Sequence, residues 1–346
     1  MHIAIDISPL ESGHSGRGVG VYTKQLIESM QLFEKSHTVS LVTHQHDIPE
    51  TCNIVHYPYF DPFFLTLPLF RKYPSVVTVH DVIPLLYPDK FPAGIKGAIR
   101  FQLQKLSLSG IRRVITDSKT SKNDIQRILG RNPNTIDVVY LAPSLNIPKS
   151  SLVKHDIKKY INGKPFFIYV GDVNWNKNIP GLLSAFSKVL KTNPNFQLLL
   201  IGRTFCDESI AEVREIKTLI HSKHLESNVS MPGYVEPSTL MDLYTTAVCL
   251  VQPSFYEGFG FPVIDALSLG CPVVTSNTSS LAEICGPSLQ ADPHDPTQLA
   301  NGMMEIIRMT QLKRNTIIKK GYEWVEQFTW KRVANETVES YKKALQ

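Results

Sequence analysis

Residues 248–275 read VCLVQPSFYEGFGFPVIDALSLGCPVVT. An apolar run at 248–252 passes into a loop dense in glycine and aromatic residues at 256–262. A helical pattern follows at 260–270, and a second apolar run at 272–275. Strands that are apolar throughout and joined through a helix belong to a parallel sheet covered on both faces. The same grammar holds upstream and downstream, with strands expected at 165–170, 196–201 and 229–231. Helices are expected at 179–192, 209–224, 236–246 and 297–308.

The first half of the chain repeats the pattern. Strands are expected at 2–7, 39–42, 54–56, 76–80, 114–117 and 136–139, with helices at 20–33, 94–110 and 118–129. Between the halves lies a polar, lysine-rich stretch, IPKSSLVKHDIKKYINGKP at 147–165. The division expected is a first Rossmann-like domain at 1–148, a linker at 149–164 and a second domain at 165–328, followed by an amphipathic helix at 329–346. Two α/β halves suggest ligand binding in the cleft between them, at the carboxyl ends of the strands.

Length and composition bound the alternatives. At 346 residues the chain has room for about two domains, each able to bury a core, so a small disulfide-stapled module is excluded. Hydrophobic residues at 42% and charged residues at 19% describe a folded globular protein. Thirty-six Lys and Arg against 31 Asp and Glu leave +5, which suits an anionic ligand or membrane surface and is too little to argue nucleic acid. Five widely spaced cysteines form no CxxC pair and read as reduced thiols of a cytosolic protein. The opening MHIAIDISPL lacks the pattern of a secretory signal, and no stretch reaches the 18 apolar residues of a membrane span. Any membrane contact is therefore expected to be peripheral.

Several constellations carry chemistry. Gly16, Gly18 and Gly20 in SGHSGRGVGVYT stand between a strand and a helix, where backbone amides can approach a phosphate; a loop without a ligand is the alternative. Glu257 in the aromatic-glycine loop and Asp265, placed about two turns along the next helix, pair two carboxylates suited to vicinal sugar hydroxyls. The bland reading of the second, an acid complementing the helix dipole, does not explain the density of glycine and aromatics. His80 and Asp81 end a buried-looking strand; a lone histidine is more often a satisfied core residue than a catalyst, and Asp81 either orients His80 or caps the next turn. His44, His46 and Asp47 do not have the arrangement of a metal site, and no D-x-D is present, so no essential metal is expected. Residues 94–113 carry Lys96, Arg100, Lys105, Arg112 and Arg113 with no acid, among apolar residues at helical spacing. That pattern fits either docking on anionic lipid or an ordinary solvated helix face.

Taken together these segments resemble the family 4 retaining glycosyltransferases of the GT-B fold. The likeness is carried by GRGVGVYT at 16–23, VTVHDVIPLLYP at 77–88, GDVNWNKN at 171–178, the stretch around Glu257 and Asp265, and SLAEICG at 280–286. It extends over nearly the whole chain. Aspartate at 265 stands where the family's E-x7-E motif has its second glutamate. The resemblance implies two doubly wound Rossmann-like domains facing across a cleft, an acceptor-binding first domain and a nucleotide-sugar-binding second one, with the last helix returning to the first domain. It further implies that Glu257 lies beside the donor sugar, that Asp265 takes the ribose hydroxyls, and that Lys177 neutralises the diphosphate. His80 would contact the donor sugar, and the amides of Phe259, Gly260 and Phe261 would face donor hydroxyls or phosphate. Asp172 occupies the position of a family arginine, and Arg203 is its expected substitute.

The family's closest character here is that of bacterial mannosyltransferases of surface polysaccharides. GDP-mannose is therefore the leading donor, a glycan or polyprenyl-linked saccharide the acceptor, and the inner face of the cytoplasmic membrane the expected place of work. A UDP-sugar donor, a nucleotide-sugar epimerase of the same fold and a non-catalytic binding module are the alternatives.

Overall fold

The computed structural model describes residues 1–13, 15–145, 156–161 and 163–346. Most of the expected linker, residues 149–155 and 162, and His14 of the glycine segment lie outside the described residues. The chain divides into two units, Met1–Ser144 with Phe328–Gln346, and Leu145–Gln327.

The first unit is built on six strands: β1 (His2–Asp6), β2 (Thr38–Val42), β3 (Ile54–Tyr57), β4 (Ser75–Thr78), β5 (Arg113–Thr116) and β6 (Ile136–Val138). They form one sheet in the order β2-β1-β3-β4-β5-β6, with every pairing parallel. Helices α1 (Gly18–Phe33), α2 (Gly94–Ser109) and α3 (Lys119–Leu129) lie between strands. All of β3 and β4 is buried, as strands with helices on both faces must be. Ser118 caps α3 by accepting from the Ser121 amide, and Gly130 ends it in the left-handed conformation.

The second unit repeats the plan with β7 (Phe166–Val170), β8 (Gln197–Ile201), β9 (Val229–Gly233), β10 (Cys249–Gln252), β11 (Val273–Ser276) and β12 (Leu289–Ala291). Its order is β12-β11-β10-β7-β8-β9, again all parallel. Helices α4 (Ile179–Leu190), α5 (Ala211–Ser222), α6 (Pro237–Thr246), α7 (Phe261–Ser268), α8 (Pro296–Arg308) and α9 (Gln311–Val325) complete it. Phe167, Leu198, Leu200 and Val251 from the sheet meet Phe186, Leu299 and Met303 from the helices in one core. The residues 166–170 and 197–201 have almost no polar side chain because both faces of those strands are covered.

Helix α10 (Trp330–Leu345) packs on the first unit. Thr329 caps it, the Trp330 indole donates to the Pro143 carbonyl at 2.8 Å, and the Tyr341 hydroxyl lies 2.7 Å from Nδ1 of buried His56. Asp137 receives both Arg113 nitrogens at 2.6 and 2.8 Å, the Ser340 hydroxyl at 2.8 Å and Lys343 at 3.1 Å.

In each sheet the strand order reverses once. The reversal falls between β1 and β3 in the first unit and between β7 and β10 in the second, and loops leaving the carboxyl ends there diverge to opposite faces. Those two crevices are where such folds take ligands.

Candidate active site

The switch point of the second unit holds the charged candidates. Lys177 lies on the loop after β7 and Glu257 on the loop after β10. The lysine Nζ reaches both carboxylate oxygens, at 2.8 and 2.7 Å, so the two residues form an ion pair. Their side chains remain 19% and 9% exposed, which leaves the pair within reach of a ligand. Oε1 of Glu257 also accepts from Ser254 Oγ at 2.7 Å and from Gln252 Nε2 at 3.2 Å. Three donors converging on one oxygen fix the carboxylate's rotamer.

The backbone around the pair is held as firmly. Ser279 Oγ accepts from the Glu257 amide at 3.0 Å, while Ser280 Oγ donates to the carbonyls of Glu257 and Phe259. Asn176 donates through its side chain to the Tyr256 carbonyl and accepts from the Phe255 amide at its own carbonyl. Asn178, left-handed at φ 54°, caps α4 and donates to the carbonyls of Pro253 and Pro293. The NWNKN segment is thus a clamp that ties the Lys177 loop to the Glu257 loop.

Gly260 precedes α7 at φ 123°, and a Cβ there would come within 2.7 Å of Leu281 Cδ2. Pro262 lacks an N–H, and the Val263 amide bonds to the Gly260 carbonyl, so the amides of Gly260 and Phe261 lie at the helix entrance outside its hydrogen-bond ladder. Phe259 is buried with its ring edge toward that of Phe261. Because α7 starts at Phe261, Asp265 sits little more than one turn along it, not two. Asp265 is buried, and its Oδ1 accepts from the Leu145 amide at 3.2 Å. Arg203 stands on the loop after β8 with its guanidinium 5.1 Å above the Tyr234 ring. Asp172 accepts from Thr204 Oγ1 at 3.2 Å on that same loop.

In the first unit His80 lies two residues beyond the end of β4 rather than within it. Its Nδ1 is 2.6 Å from Asp117 Oδ2 and its Nε2 is 3.2 Å from the Pro58 carbonyl, with the Tyr22 ring edge-on at 4.7 Å. Burial by itself would push the imidazole pKa down; the Asp117 carboxylate, aided by Asp81 and the Pro58 carbonyl, carries it above the ordinary histidine range. Both ring nitrogens face acceptors, which is the environment of an imidazolium. Asp117 orients the ring, and Asp81 accepts from the Ile83 amide and caps the next turn. Gly18 and Gly20 are the first and third residues of α1, so two of the three glycines belong to the helix's first turn rather than to a loop, with Gly16 just before it. In the first turn of that helix the Val21 amide bonds to the Arg17 carbonyl.

The switch point of the first unit is a different place. A cavity of about 830 Å³ opens there, lined among others by Asp6, Tyr57, Tyr59, Leu67 and Phe70. Burial holds the Asp6 carboxyl above the usual range against hydrogen bonds from Ser8. Neither Asp6 nor the cavity was legible as a site, because its walls come from three strand ends and one long loop. Asp117 was missed because it stands 37 residues from His80 and meets it only through the pairing of β4 with β5. Among the described residues no three His, Cys, Asp or Glu are grouped to hold a metal ion, and no helix is long and apolar enough to cross a membrane.

Two parallel sheets, each with a crevice at its strand reversal, carry a Lys177–Glu257 pair in one unit and a His80–Asp117 pair in the other at strand ends, and the comparisons give the family. A family model described as glycosyl transferases group 1 matches residues 153–324, and one described as glycosyltransferase family 4 matches residues 46–142. The O-antigen chain mannosyltransferase B of Escherichia coli is 30% identical over 275 residues, 78% of this chain and 70% of that protein. The O-antigen chain mannosyltransferase RfbU of Salmonella typhimurium is 30% identical over 232 residues, 66% of this chain and 59% of that protein. Among solved structures, sucrose-phosphate synthase from Thermosynechococcus elongatus aligns with a TM-score of 0.76 at 20% identity, over 99% of this chain and 98% of that one. HepE of Anabaena, solved with UDP and glucose, aligns at 0.71 with 17% identity, over 99% of both chains. The chain belongs to glycosyltransferase family 4 and has the GT-B fold.

Proposed function

We propose that this glycosyltransferase moves a hexose, mannose from GDP-mannose, onto a hydroxyl of a glycan or polyprenyl-linked saccharide in surface polysaccharide synthesis, with retention at the anomeric carbon. The observation that carries the reading is the Lys177–Glu257 pair at the switch point of the second sheet. The names of the two O-antigen relatives favour mannose.

The pair suggests how the donor is received. A nucleoside diphosphate competes with Glu257 for Lys177, and the lysine then lies where negative charge grows as the glycosidic bond breaks. The carboxylate so released is a two-oxygen acceptor for sugar hydroxyls, already steered by Ser254 and Gln252. Gly260 and Phe261 offer amides at a helix entrance for donor hydroxyls or phosphate, with Phe259 packed behind them. Asp265 is assigned to the ribose hydroxyls. Arg203 is assigned to the nucleotide end of the donor, and the first-turn amides of α1, with Gly16, Gly18 and Gly20, to phosphate. His80, fixed by Asp117 at Nδ1, is assigned to a substrate oxygen, for which its Nε2 exchanges the Pro58 carbonyl.

The step balances without a redox partner. The C1–O bond to the β-phosphate breaks and its electron pair stays on that phosphate; the acceptor oxygen bonds to C1 on the same face, and its proton passes to the departing phosphate. No metal is assigned to this step, no nucleic acid to its substrates, and the place of work is the cytoplasmic side of the membrane.

The test is release of nucleoside diphosphate from GDP-, UDP-, ADP- and dTDP-sugars in the presence of EDTA, with and without bacterial membrane lipid. Turnover of GDP-mannose that needs the lipid is expected. Binding of UDP or dTDP but not GDP overturns the donor, loss of activity in EDTA overturns metal independence, and free epimerised sugar formed without acceptor overturns transfer.

A further inference from the structure

The apolar side chains left in water are not scattered evenly. Of the fourteen exposed large hydrophobic residues among those described, seven fall between residues 64 and 106, all in the first unit. Phe64, Leu65 and Phe70 sit on the loop after β3, and Ile95, Ile99 and Leu106 on α2, with Phe70 86% and Ile95 84% exposed. At about 100° per residue, Ile95, Ile99 and Leu106 fall within about 40° of one another on α2. Lys96 and Lys105, both exposed, then lie at about +100° and −80° from Ile95, one on each side of the stripe. The opposite face, with Gly97, Gln104 and Leu108, is the buried one.

This exposure is built in and is not the slackness of a loop. Gln104 accepts from the amides of Thr66 and Leu67 and donates to the Leu67 carbonyl. Arg71 and Ser107 both donate to the Pro68 carbonyl. Asp61 accepts from the amides of Phe63 and Phe64, and Gly97 leaves room for Phe63 against the helix. The Arg100 guanidinium lies 5.7 Å over the Phe64 ring. The loop backbone is therefore tied to α2 while its large side chains point outward. The same loop lines the cavity at the first unit's switch point, through Phe64, Leu65, Leu69 and Phe70.

We propose that the outer stripe of α2 and the loop carrying Phe64, Leu65 and Phe70 form one docking surface for an anionic lipid bilayer. Charge complementarity selects that partner: α2 carries Lys96, Arg100 and Lys105 and no acid, and lysines flanking an apolar stripe extend to headgroups while the stripe enters the acyl boundary. Docked in this way, the loop brings the apolar cavity to the lipid surface, so that an acceptor on a lipid carrier reaches it without leaving the membrane; this last clause rests on the function proposed above. The surface itself does not depend on the identity of the donor.

The test is co-sedimentation of the full-length chain with phosphatidylcholine vesicles, with and without phosphatidylglycerol. Binding only to the anionic vesicles, weakened by salt, is expected. Lys96→Glu with Lys105→Glu should weaken it at least about 30-fold, since each lysine near such a surface contributes about 1 kcal/mol. Ile95→Asn with Ile99→Asn should weaken it as well, with circular dichroism and the melting temperature unchanged, because those side chains face solvent. Affinity for free GDP, measured by calorimetry without vesicles, should be the same in both variants, which separates this surface from the donor site. Equal binding to neutral and anionic vesicles, unaltered binding by the lysine variant, or a dimer in sedimentation velocity that the isoleucine variant dissolves would each overturn the proposal; the dimer would assign the face to a second copy of the chain.

Discussion

The two switch points occupy corresponding places in two similar sheets and have opposite chemistry. In the second unit the crevice holds a lysine and a glutamate bonded to one another, with the loops that carry them pinned to each other and to Ser279. In the first it is a cavity of about 830 Å³ walled by Tyr57, Leu67 and Phe70, with Asp6 the single carboxylate among its described lining residues. A charged pair suits an anionic ligand, which replaces one partner of a cation by another of the same sign. An apolar crevice suits a partner that must bury carbon. The fold supplies the location twice, and the side chains at the strand ends decide what is bound.

The sharpest way to break this contrast is to remove the pair. Lys177→Ala and Glu257→Ala are each expected to lower kcat by about 10² to 10³, the range for losing one preorganised electrostatic partner of a transition state. Diphosphate release measures it, and near-normal turnover in either variant would remove that residue from the site. The double variant should fall little further than the worse single one, because the two act as a unit.

Next in size is Gly202→Ala, which tests how rigidly the second unit's loops are held. A Cβ at 202 would collide with the Gly171 carbonyl oxygen, on the loop that leads to Lys177. Backbone cannot yield as a side-chain tip does, so a loss of about 2–3 kcal/mol in urea unfolding is expected. An unchanged midpoint would mean that the two loops are not fixed against each other.

In the first unit the equivalent anchor is Asp137. Despite partial burial, hydrogen bonds from Arg113, Ser340 and Lys343 hold its carboxyl below the usual range. A depressed folded pKa contributes stability that is complete above the unfolded value of about 3.9 and is lost as pH falls through the lowered one. Asp137→Asn is therefore expected to cost about 2 kcal/mol at neutral pH and progressively less in acid. Faster amide exchange in α10 would report it, and a cost that stays constant down to the acid transition would refute it.

The smallest effect concerns His80. With Asp117→Asn the carboxylate that raises the imidazole pKa is gone and burial dominates, so the histidine should titrate below its ordinary value of about 6.5 instead of above it. Turnover should fall by about tenfold, and its pH profile should move to lower pH with the ring's titration. NMR titration of the ring checks the first expectation, and an unmoved pKa would return Asp117 to a structural role.

What could be read in advance follows from which signals are local. Eleven of the twelve strands were legible because strands buried on both faces are apolar throughout, as in FFIYV and QLLLI. The exception, β12, is a three-residue edge strand. Helix α9 escaped notice because only Gly321 is buried along its length, so it carries no apolar stripe. Glu257 and Lys177 were recognisable from the motifs around them. That they bind each other, and that Gln252, Ser254 and Ser279 steer the glutamate, was not, since 80 residues separate the pair.

The sequence alone determined the two α/β units, their parallel sheets and the family, because hydrophobic period and loop motifs are properties of neighbours along the chain. Tertiary structure alone decided which side chains meet: Lys177 with Glu257, His80 with Asp117, and loop 62–70 with the back of α2. Parallel strands bring together residues far apart in the chain, and the order of strands in a sheet is set by how helices cover it, which no local pattern encodes.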